Sequence, residues 1–433
     1  MQDMYQITRR NFLKIAMGTT ATGLVGGLTS CGVKKQVVVV VGGGAGGATV
    51  AKYIRKADPS IEVTLIEQNE YYYTGFMSNE VLTGERTIDS IKFGYEGLSK
   101  HGIKVVRSLA TGINPVAKTV TTQSGDTFHY DRLVVSPGID FKWTAIEGYN
   151  ENVANKFPHA WQAGPQTVTL RKQLKAMKDG GTVIIAPPPK PFRCSTAPYE
   201  RASLIAHYLK QHKSKSKILI LDANETFPKQ ELFIQGWKKL YGYGTDNSMI
   251  EWFPPSKEGN VVRVDPKQMA VYAGDFEEKH TADVINIIPP QKAGKIASIA
   301  GLVDRTGWCQ VNKKTFESLS QKNIHVIGDA AKATKMPKSG HAAYSQAQVC
   351  AMAVVKALSD KEMGTPSYFN TCYSIIGKDY AVSVATVYRL KGKVIAPVGA
   401  DGLSPLDASA EDRRREVFYA HSWFKNITHE MFG

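Results

Sequence analysis

An unbroken β-branched run that leads into a glycine cluster constrains the fold of this chain more than any other feature. Residues Val37–Val41 predict a parallel strand buried on both faces. The segment Gly42-Gly43-Gly44-Ala45-Gly46-Gly47 follows, a helix is predicted from Ala48 to Lys56, and the strand Ile61–Ile66 ends at Glu67. This order of strand, turn, helix and strand predicts a βαβ unit of a parallel sheet.

Three glycines of this turn have the spacing of a dinucleotide-binding fingerprint. Gly42 permits the tight turn, Gly44 lets a pyrophosphate approach the backbone, and Gly47 lets the helix pack closely on the sheet. The helix N-terminus adds N–H groups and a positive dipole end for the phosphates. Glu67 stands where an acid accepts hydrogen bonds from a ribose hydroxyl group. The sequence therefore predicts a dinucleotide site at this turn.

A second βαβ unit is predicted from strands at 182–186 and 218–221 around a helix at 199–211. Its phosphate turn lacks glycine and reads Pro187-Pro188-Pro189-Lys190-Pro191. Proline has no N–H group for a phosphate, and its fixed φ forbids the usual tight turn. We therefore expect no NAD(P) at the second unit, so electrons must come from another donor.

Two further segments indicate which dinucleotide binds at the first unit. Tyr130–Gly138 resembles the return strand of flavoproteins with two dinucleotide domains, and Ile324–Asp329 resembles their later Gly-Asp motif. In those proteins the aspartate, here Asp329, bonds the ribityl–phosphate part of FAD. Together with the fingerprint, these resemblances imply FAD as the cofactor. We predict no metal site.

The net charge and the N-terminal leader bear on the partners of the protein and on its cellular compartment. A formal net charge of +15 favours acidic partners, but no basic helix interleaved with aromatic residues predicts a nucleic-acid site. Thr8-Arg9-Arg10-Asn11-Phe12-Leu13-Lys14 is a twin-arginine export motif, so residues 1–31 are expected to be the signal of a periplasmic protein. The leader ends at Cys31, which would tether the protein to a membrane if lipidated; an ordinary cleavage nearby is the alternative.

Four cysteines remain after the leader. Cys194 precedes a predicted helix and follows Arg193, and both features would favour a thiolate. Cys372 lies far away in the chain, and spacing alone does not select a pairing. We expect Cys309 and Cys350 to have a structural rather than a catalytic role.

With these motifs the chain resembles the flavoprotein subunit of flavocytochrome c sulfide dehydrogenase, and more distantly the sulfide:quinone oxidoreductases. The resemblance runs to Gly433 and includes Val37–Lys56, Ser78–Gly84, Ala186–His207, Asp222–Gly242, Ile287–Lys295, Met336–Gly340, Thr365–Ser374 and Ser422–Gly433. It implies an α/β fold like that of glutathione reductase, with two Rossmann-like dinucleotide-binding domains and a C-terminal α+β interface domain. The expected domains are an FAD-binding domain (34–155 and 286–358), a second Rossmann-like domain without an NAD motif (156–285) and the interface domain (359–433).

The resemblance also implies site residues and a reaction. Cys194 and Cys372 would form a redox-active disulfide over the flavin, at which sulfide is oxidised before electrons pass to the haem of a c-type cytochrome subunit. It further implies Glu200 as an acid/base and Trp423 as an aromatic wall of the pocket. We also include Gly138 and Gly340 among the residues predicted to bind the cofactor. Which sulfur is attacked stays open.

The sequence departs from the family at two positions. Gly75 replaces the cysteine that often attaches FAD, so we predict a non-covalent flavin. His341 replaces a pocket tyrosine and either helps to deprotonate H₂S or is a neutral, hydrogen-bonded histidine. Two other functions compete with the cytochrome-linked enzyme: a sulfide:quinone oxidoreductase, and a non-catalytic flavoprotein accessory to a sulfur-oxidising complex. The charged segment Glu411–Glu416 argues against a membrane-inserted quinone enzyme.

Overall fold

The fold is that of a computed structural model, which describes residues 35–433. The twin-arginine motif and Cys31 lie outside the described residues. The first part of the described chain contains β1 (Val37–Val41), α1 (Ala45–Ala57), β2 (Glu62–Glu67), β3 (Tyr72–Tyr73), α2 (Ser78–Thr83), β4 (Lys92–Phe93), α3 (Glu96–Lys100), β5 (Ile103–Arg107), β6 (Ala110–Asn114), β7 (Thr119–Thr122), β8 (Thr127–His129), β9 (Arg132–Val135) and β10 (Ile139–Phe141).

The middle part forms the second predicted unit. It contains α4 (Pro165–Ala176), β11 (Thr182–Ala186), α5 (Ala197–His212), β12 (Lys217–Leu221), α6 (Gln230–Tyr241), β13 (Ile250–Phe253), β14 (Val261–Asp265), β15 (Ala270–Ala273), β16 (Glu278–Thr281), β17 (Val284–Ile287), β18 (Gln291–Ala293) and α7 (Lys295–Ile299). The last part contains β19 (Ile324–Val326), α8 (Gly340–Leu358), β20 (Ser367–Gly377), β21 (Tyr380–Lys391), β22 (Val394–Pro397), β23 (Gly402–Leu403) and α9 (Ala410–Phe432).

The first sheet is parallel and has the strand order β19-β9-β1-β2-β5. Val38 on β1 pairs with Val63 on β2 and with Arg132 on β9, so β1 lies at the centre of the sheet. Four of its five valines are buried, as expected for a strand covered on both faces. The confirmed βαβ unit therefore holds the glycine turn at the carboxyl edge of a parallel sheet, where open α/β sheets bind ligands.

The second sheet is also parallel, with the order β13-β12-β11-β17. The C-terminal part is an antiparallel sheet of β20, β21 and β22, in which β23 pairs with β21. Helix α5 packs on β20, and α8 packs on both α1 and β20. These contacts bring the segment before α5 and the middle of β20 together although they are far apart in the chain. The α/β class and the flavoprotein-like architecture are confirmed; the domain boundaries stay predictions.

Several predicted helix starts were too late. Helix α1 begins at Ala45 rather than Ala48, because Gly46 and Gly47 belong to its first turns and not to the loop. Helix α5 begins at Ala197, two residues before the predicted start at 199. Helix α8 begins at Gly340, and the Ser339 hydroxyl group accepts from the Ala342 N–H and caps it. Among residues 35–433, no helix combines the length and apolarity needed to cross a membrane.

Candidate functional site

The glycine turn is sterically possible only without side chains at two positions. Gly42 has a φ of +96°, and a Cβ atom there would lie 2.3 Å from the Ser136 carbonyl oxygen. A Cβ atom on Gly47 would lie 1.7 Å from the Gly42 carbonyl oxygen. Helix α1 has no acidic residue in its first turn and no side-chain cap, so nothing there competes with a phosphate for its N-terminal N–H groups.

The acid after β2 holds the turn in place. Glu67 Oε2 accepts a hydrogen bond from the Gly43 N–H at 2.7 Å, while Oε1 accepts from Asn69. The remaining lone pairs of the carboxylate are free for a ribose hydroxyl group. Tyr72, which the sequence did not single out, lies against Gly44, 3.3 Å from where a Cβ atom would be, and burial raises its pKa to about 12. The turn therefore has the shape and the donors that a dinucleotide requires.

Asp329, which follows the edge strand β19 of the same parallel sheet, supports the same assignment. It lies in a short helical turn after β19, and its Oδ2 is 3.8 Å from Arg193 Nη1. Burial raises the pKa of this carboxyl group, although Arg193 and Lys338 oppose the shift. Its Oδ1 is buried and has no hydrogen-bond partner within residues 35–433. A buried acceptor of this kind fits a sugar-alcohol hydroxyl group, so Asp329 suits the ribityl chain of FAD. Gly138, with a φ of +64°, ends the return segment after β9.

A small cavity of about 80 Å³ lies beside this site. Both predicted active cysteines line it together with Glu200, Gly340, His341 and Trp423, so every residue of the predicted reaction site is in one place. The rest of the lining is Gly75, Phe76, Met77, Ser78, Asn79, Ala160, Trp161, Arg193, Thr196, Ala197, Arg201, Ser339, Thr371, Tyr373 and Ile375. The roles of these residues stay predictions. The volume suits a small anion.

The two cysteines are free thiols in the structure rather than the expected disulfide, yet they line the same cavity. Cys194 has a φ of +53°, and its N–H donates to the Lys338 carbonyl oxygen at 2.7 Å. We expected Arg193 and the helix N-terminus to favour a Cys194 thiolate. Arg193 does lower the pKa of the Cys194 thiol, but burial and the neighbouring Asp329 outweigh it and raise that pKa to about 12.

Cys372 on β20 has different neighbours. Its Sγ lies 3.5 Å from the Thr196 hydroxyl oxygen and 4.0 Å from Lys229 Nζ. The ammonium group of Lys229 also donates to the Cys372 carbonyl oxygen at 3.2 Å and to Ser374 Oγ at 2.8 Å. A cation and a hydroxyl donor therefore face this sulfur.

Glu200 lies in the first turn of α5 and faces the cavity. Its Oε1 accepts from the Ile375 N–H at 2.9 Å, and its Oε2 accepts from Asn79 Nδ2 at 3.0 Å. Burial nevertheless raises the pKa of the carboxyl group above its ordinary value of 4.5, because desolvation outweighs both hydrogen bonds and Lys229. A buried carboxyl group with a raised pKa can exchange a proton closer to neutral pH than an exposed one.

The surroundings of His341 favour one of its two interpretations. Its Nδ1 accepts from the Thr371 N–H at 2.7 Å, and burial lowers the pKa of the ring to about 4. Both features favour a neutral, hydrogen-bonded histidine over a group that takes a proton from H₂S, and the role of His341 stays a prediction. Trp423 on α9 forms the aromatic wall, with ring centroids 5.4 Å from Phe76 and 5.7 Å from His341.

The predicted attachment position is open. A Cβ atom on Gly75 would meet no atom within 4 Å, although Gly75 lines the cavity. The lack of a cysteine there therefore does not result from crowding by the protein. Cys309 and Cys350 are fully buried, which agrees with a structural role.

Sequence reasoning missed Thr196, Lys229, Asn79 and Tyr72. Lys229 and Asn79 fell within segments that resemble the family, but no spacing rule connects a lysine at 229 with a cysteine at 372. Thr196 also fell within such a segment, Ala186–His207, and it stands shortly before the predicted helix at 199–211, which was a further available signal.

Three family models match the chain over most of its described length. The model described as pyridine nucleotide-disulphide oxidoreductase matches residues 36–173. The model described as sulfide dehydrogenase (flavocytochrome c) flavoprotein chain, central, matches residues 167–289, and that described as flavocytochrome c sulphide dehydrogenase, flavin-binding, matches residues 364–432.

Relatives and solved structures agree with these matches. The mitochondrial sulfide:quinone oxidoreductase of Dictyostelium discoideum is 26% identical over 61% of this chain and 57% of its own length, and that of Mus musculus is 25% identical over 70% and 66%. The chain thus spans roughly three fifths of these relatives. A crystal structure of the sulfide:quinone oxidoreductase from Aquifex aeolicus has a TM-score of 0.70 at 18% identity and covers 91% of this chain and 92% of its own.

The parallel sheets, the glycine turn and the aspartate after β19 define a flavoprotein of the disulfide-oxidoreductase fold, with FAD as its dinucleotide. Two models of one family match the central and C-terminal parts that carry the cavity. The chain belongs to the family of the flavocytochrome c sulfide dehydrogenase flavoprotein.

Proposed function

We propose that this chain oxidises sulfide at a Cys194–Cys372 disulfide and delivers the electrons to a c-type cytochrome. The observation that supports this most is that both cysteines line one small cavity beside Asp329 and Arg193 of the dinucleotide site. A cavity of about 80 Å³ suits hydrosulfide, and cysteines held together there can open and close a disulfide.

In the proposed reaction HS⁻ adds to one sulfur of the disulfide, the S–S bond breaks, and the other sulfur leaves as a thiolate. Glu200 accepts the proton of the resulting persulfide, since its carboxyl group faces the cavity with a raised pKa. Lys229 and Thr196 hold charge on Cys372. The glycine turn and Asp329 would hold FAD, which would supply a two-electron acceptor as the disulfide re-forms and the sulfide-derived atom leaves as zero-valent sulfur, and a donor of single electrons afterwards.

We infer that NAD(P) has no part in the reaction. The turn after β11 is replaced by three consecutive prolines, which offer no N–H group to a phosphate. Asp222 at the end of β12 would be the ribose-binding acid of a nucleotide domain. It is fully buried, and its carboxylate accepts from Tyr199, Trp252 and Asn224. Both features oppose a second dinucleotide.

A sulfide:quinone oxidoreductase is the second candidate, because relatives over 61% and 70% of the chain carry that name. Under this alternative the cysteines act as proposed and only the acceptor differs. The accessory role finds no specific support in the site. Periplasmic export and non-covalent FAD are kept as part of the proposal. A lipid anchor at Cys31 and an ordinary cleavage nearby stay the two alternatives for the end of the leader.

The test is sulfide-dependent reduction of cytochrome c and of a short-chain ubiquinone by the purified holoprotein, with Cys194→Ser and Cys372→Ser variants alongside. We expect cytochrome reduction that both variants lose while they retain FAD. Acid precipitation should release the flavin into the supernatant. Full activity in both serine variants would refute the disulfide chemistry, and reduction of ubiquinone alone would select the second candidate.

A further inference from the structure

A second cavity, which we call the lysine cleft, is far larger than the reaction cavity and has a volume of about 980 Å³. Trp308 and Phe192 form part of its floor, and both side chains are buried. No Asp or Glu lines the cleft, whereas its walls carry the lysines Lys190, Lys313, Lys314, Lys332, Lys335, Lys338 and Lys393.

Some of these ammonium groups already have partners. Lys332 forms an ion pair with Asp304 at 2.6 Å, and Lys338 donates to the Asp329 carbonyl oxygen at 2.6 Å. Lys314, Lys335 and Lys393 have no side-chain hydrogen bond or ion pair within residues 35–433. They come from different segments of the chain and line one opening, so positive charge from distant parts is concentrated there.

Most of the positive charge in the cleft is not paired with a carboxylate within residues 35–433. Burial lowers the pKa of Lys338 to about 8, and the neighbouring Lys332 adds to the shift. The pKa of Lys313 is lowered by burial and also by Lys332. Like charges in a concave surface focus the electric field and attract an opposite charge strongly. The cleft is therefore suited to an anion that supplies the missing negative groups.

The lysine cleft and the reaction cavity are separated by residues of two short segments, around Cys194 and around Lys338. Lys338 lines the cleft with its ammonium group 3.8 Å from the Trp308 ring centroid, while its carbonyl oxygen accepts from the Cys194 N–H at 2.7 Å. The segment 190–196 lines the cleft at Lys190 and Ser195 and the reaction cavity at Cys194. A molecule in the cleft would thus lie directly behind the residues that face the flavin site.

We propose that the lysine cleft is the docking site of the electron acceptor, and that this acceptor is a protein with carboxylates on its docking face. The proposal rests on the proposed function, which requires an acceptor but does not say where it binds. Oxidation of HS⁻ to zero-valent sulfur and a proton releases two electrons, so two one-electron acceptors are reduced in succession. A neutral quinone would leave the lysines without counter-charges, and a small anion would leave most of the volume empty.

The experiment uses the FAD-loaded protein reduced with dithionite, so that reoxidation is measured without sulfide. Stopped-flow reoxidation is followed with ferricyanide, a trianion, and with hexaammineruthenium(III), a trication, as outer-sphere acceptors. The cleft variant is Lys314→Glu/Lys335→Glu/Lys393→Glu. The control is Lys172→Glu/Lys175→Glu/Lys178→Glu, which makes the same charge change at exposed positions in and just after α4.

We expect the cleft variant to slow ferricyanide reoxidation by at least about tenfold at low ionic strength and to accelerate the ruthenium complex, with a much smaller effect in the control. A c-type cytochrome with an acidic surface should follow ferricyanide, and one with a basic surface should follow ruthenium. Equal slowing in both triple variants would show a general charge effect and overturn the proposal. Unchanged rates in the cleft variant would do so as well. Flavin bleaching by sulfide, measured separately, tests the proposed function by itself.

Discussion

The contact between Lys229 and Cys372 leads to a quantitative prediction about sulfur reactivity. Lys229 Nζ lies 4.0 Å from Cys372 Sγ and makes no ion pair with a carboxylate in the described part of the chain. A thiolate that forms at Cys372 during reaction would be attracted by this ammonium group by about 4 kcal/mol at an effective dielectric constant of about 20. Because Lys229 is only half-buried, solvent screening reduces the useful part to about 1–2 kcal/mol. That energy corresponds to a factor of about ten in reactivity.

The perturbation is Lys229→Met, which keeps the aliphatic chain and removes the charge. The protein is reduced, treated with limiting iodoacetamide at neutral pH and digested, and alkylation of each cysteine is followed by mass spectrometry. In the unmodified protein Cys372 should react well before Cys194. The variant should slow alkylation of Cys372 about tenfold and leave Cys194 unchanged.

Two variants serve as controls for this experiment. Lys229→Arg keeps the cation and should retain most of the Cys372 reactivity. Lys238→Met removes an exposed lysine from α6, the helix that Lys229 immediately precedes, and should have no effect. Equal alkylation rates in Lys229→Met and the unmodified protein would show that this ammonium group does not stabilise the sulfur, and the reasoning from the 4.0 Å contact would fail.

Three further outcomes follow from the site. Burial raises the pKa of Glu200 above 4.5, so the folded protein holds this proton more tightly than the unfolded chain does. The free energy of unfolding should therefore fall as the pH rises from about 4.5 through the raised pKa of Glu200, and guanidinium unfolding of Glu200→Gln should lack that fall. Gly75→Cys has room for its side chain and should make part of the FAD resistant to acid extraction, whereas Gly75→Ser should not. Arg201 is only 2% exposed and donates to four acceptors, which belong to His159, Ala160, Asn79 and Asn286. Arg201→Met should lower the free energy of unfolding by about 3 kcal/mol, measured by denaturant titration, because these acceptors lose their donor.

The dinucleotide half of the site was predictable from the sequence because its signal is local. Val37–Val41, the glycine turn and Glu67 follow one another within about one βαβ unit, and each residue type has a steric reason for its place. The Gly42 φ of +96° is a requirement that the residue type itself reveals. Asp329 needed the family resemblance, since a Gly-Asp pair alone marks many ordinary turns.

The reaction cavity was predictable only through the family, and the lysine cleft was not predictable at all. Cys194 and Cys372 meet because α5 packs on β20, which is a tertiary contact without a sequence period. The lysines of the cleft belong to segments between residues 190 and 393, so no window of the sequence contains a basic run. The raised pKa of Cys194 was missed for the same reason, since burial depends on the whole fold.

The surroundings of the two cysteines indicate how the site can separate charge. Negative charge on Cys194 is opposed by burial and by Asp329, whereas Cys372 faces the ammonium group of Lys229 and the hydroxyl group of Thr196. In the proposed reaction, opening of the disulfide would therefore leave the thiolate on Cys372, beside Lys229, and the persulfide on Cys194. These surroundings favour attack of HS⁻ at Cys194 and departure of Cys372 as the leaving group.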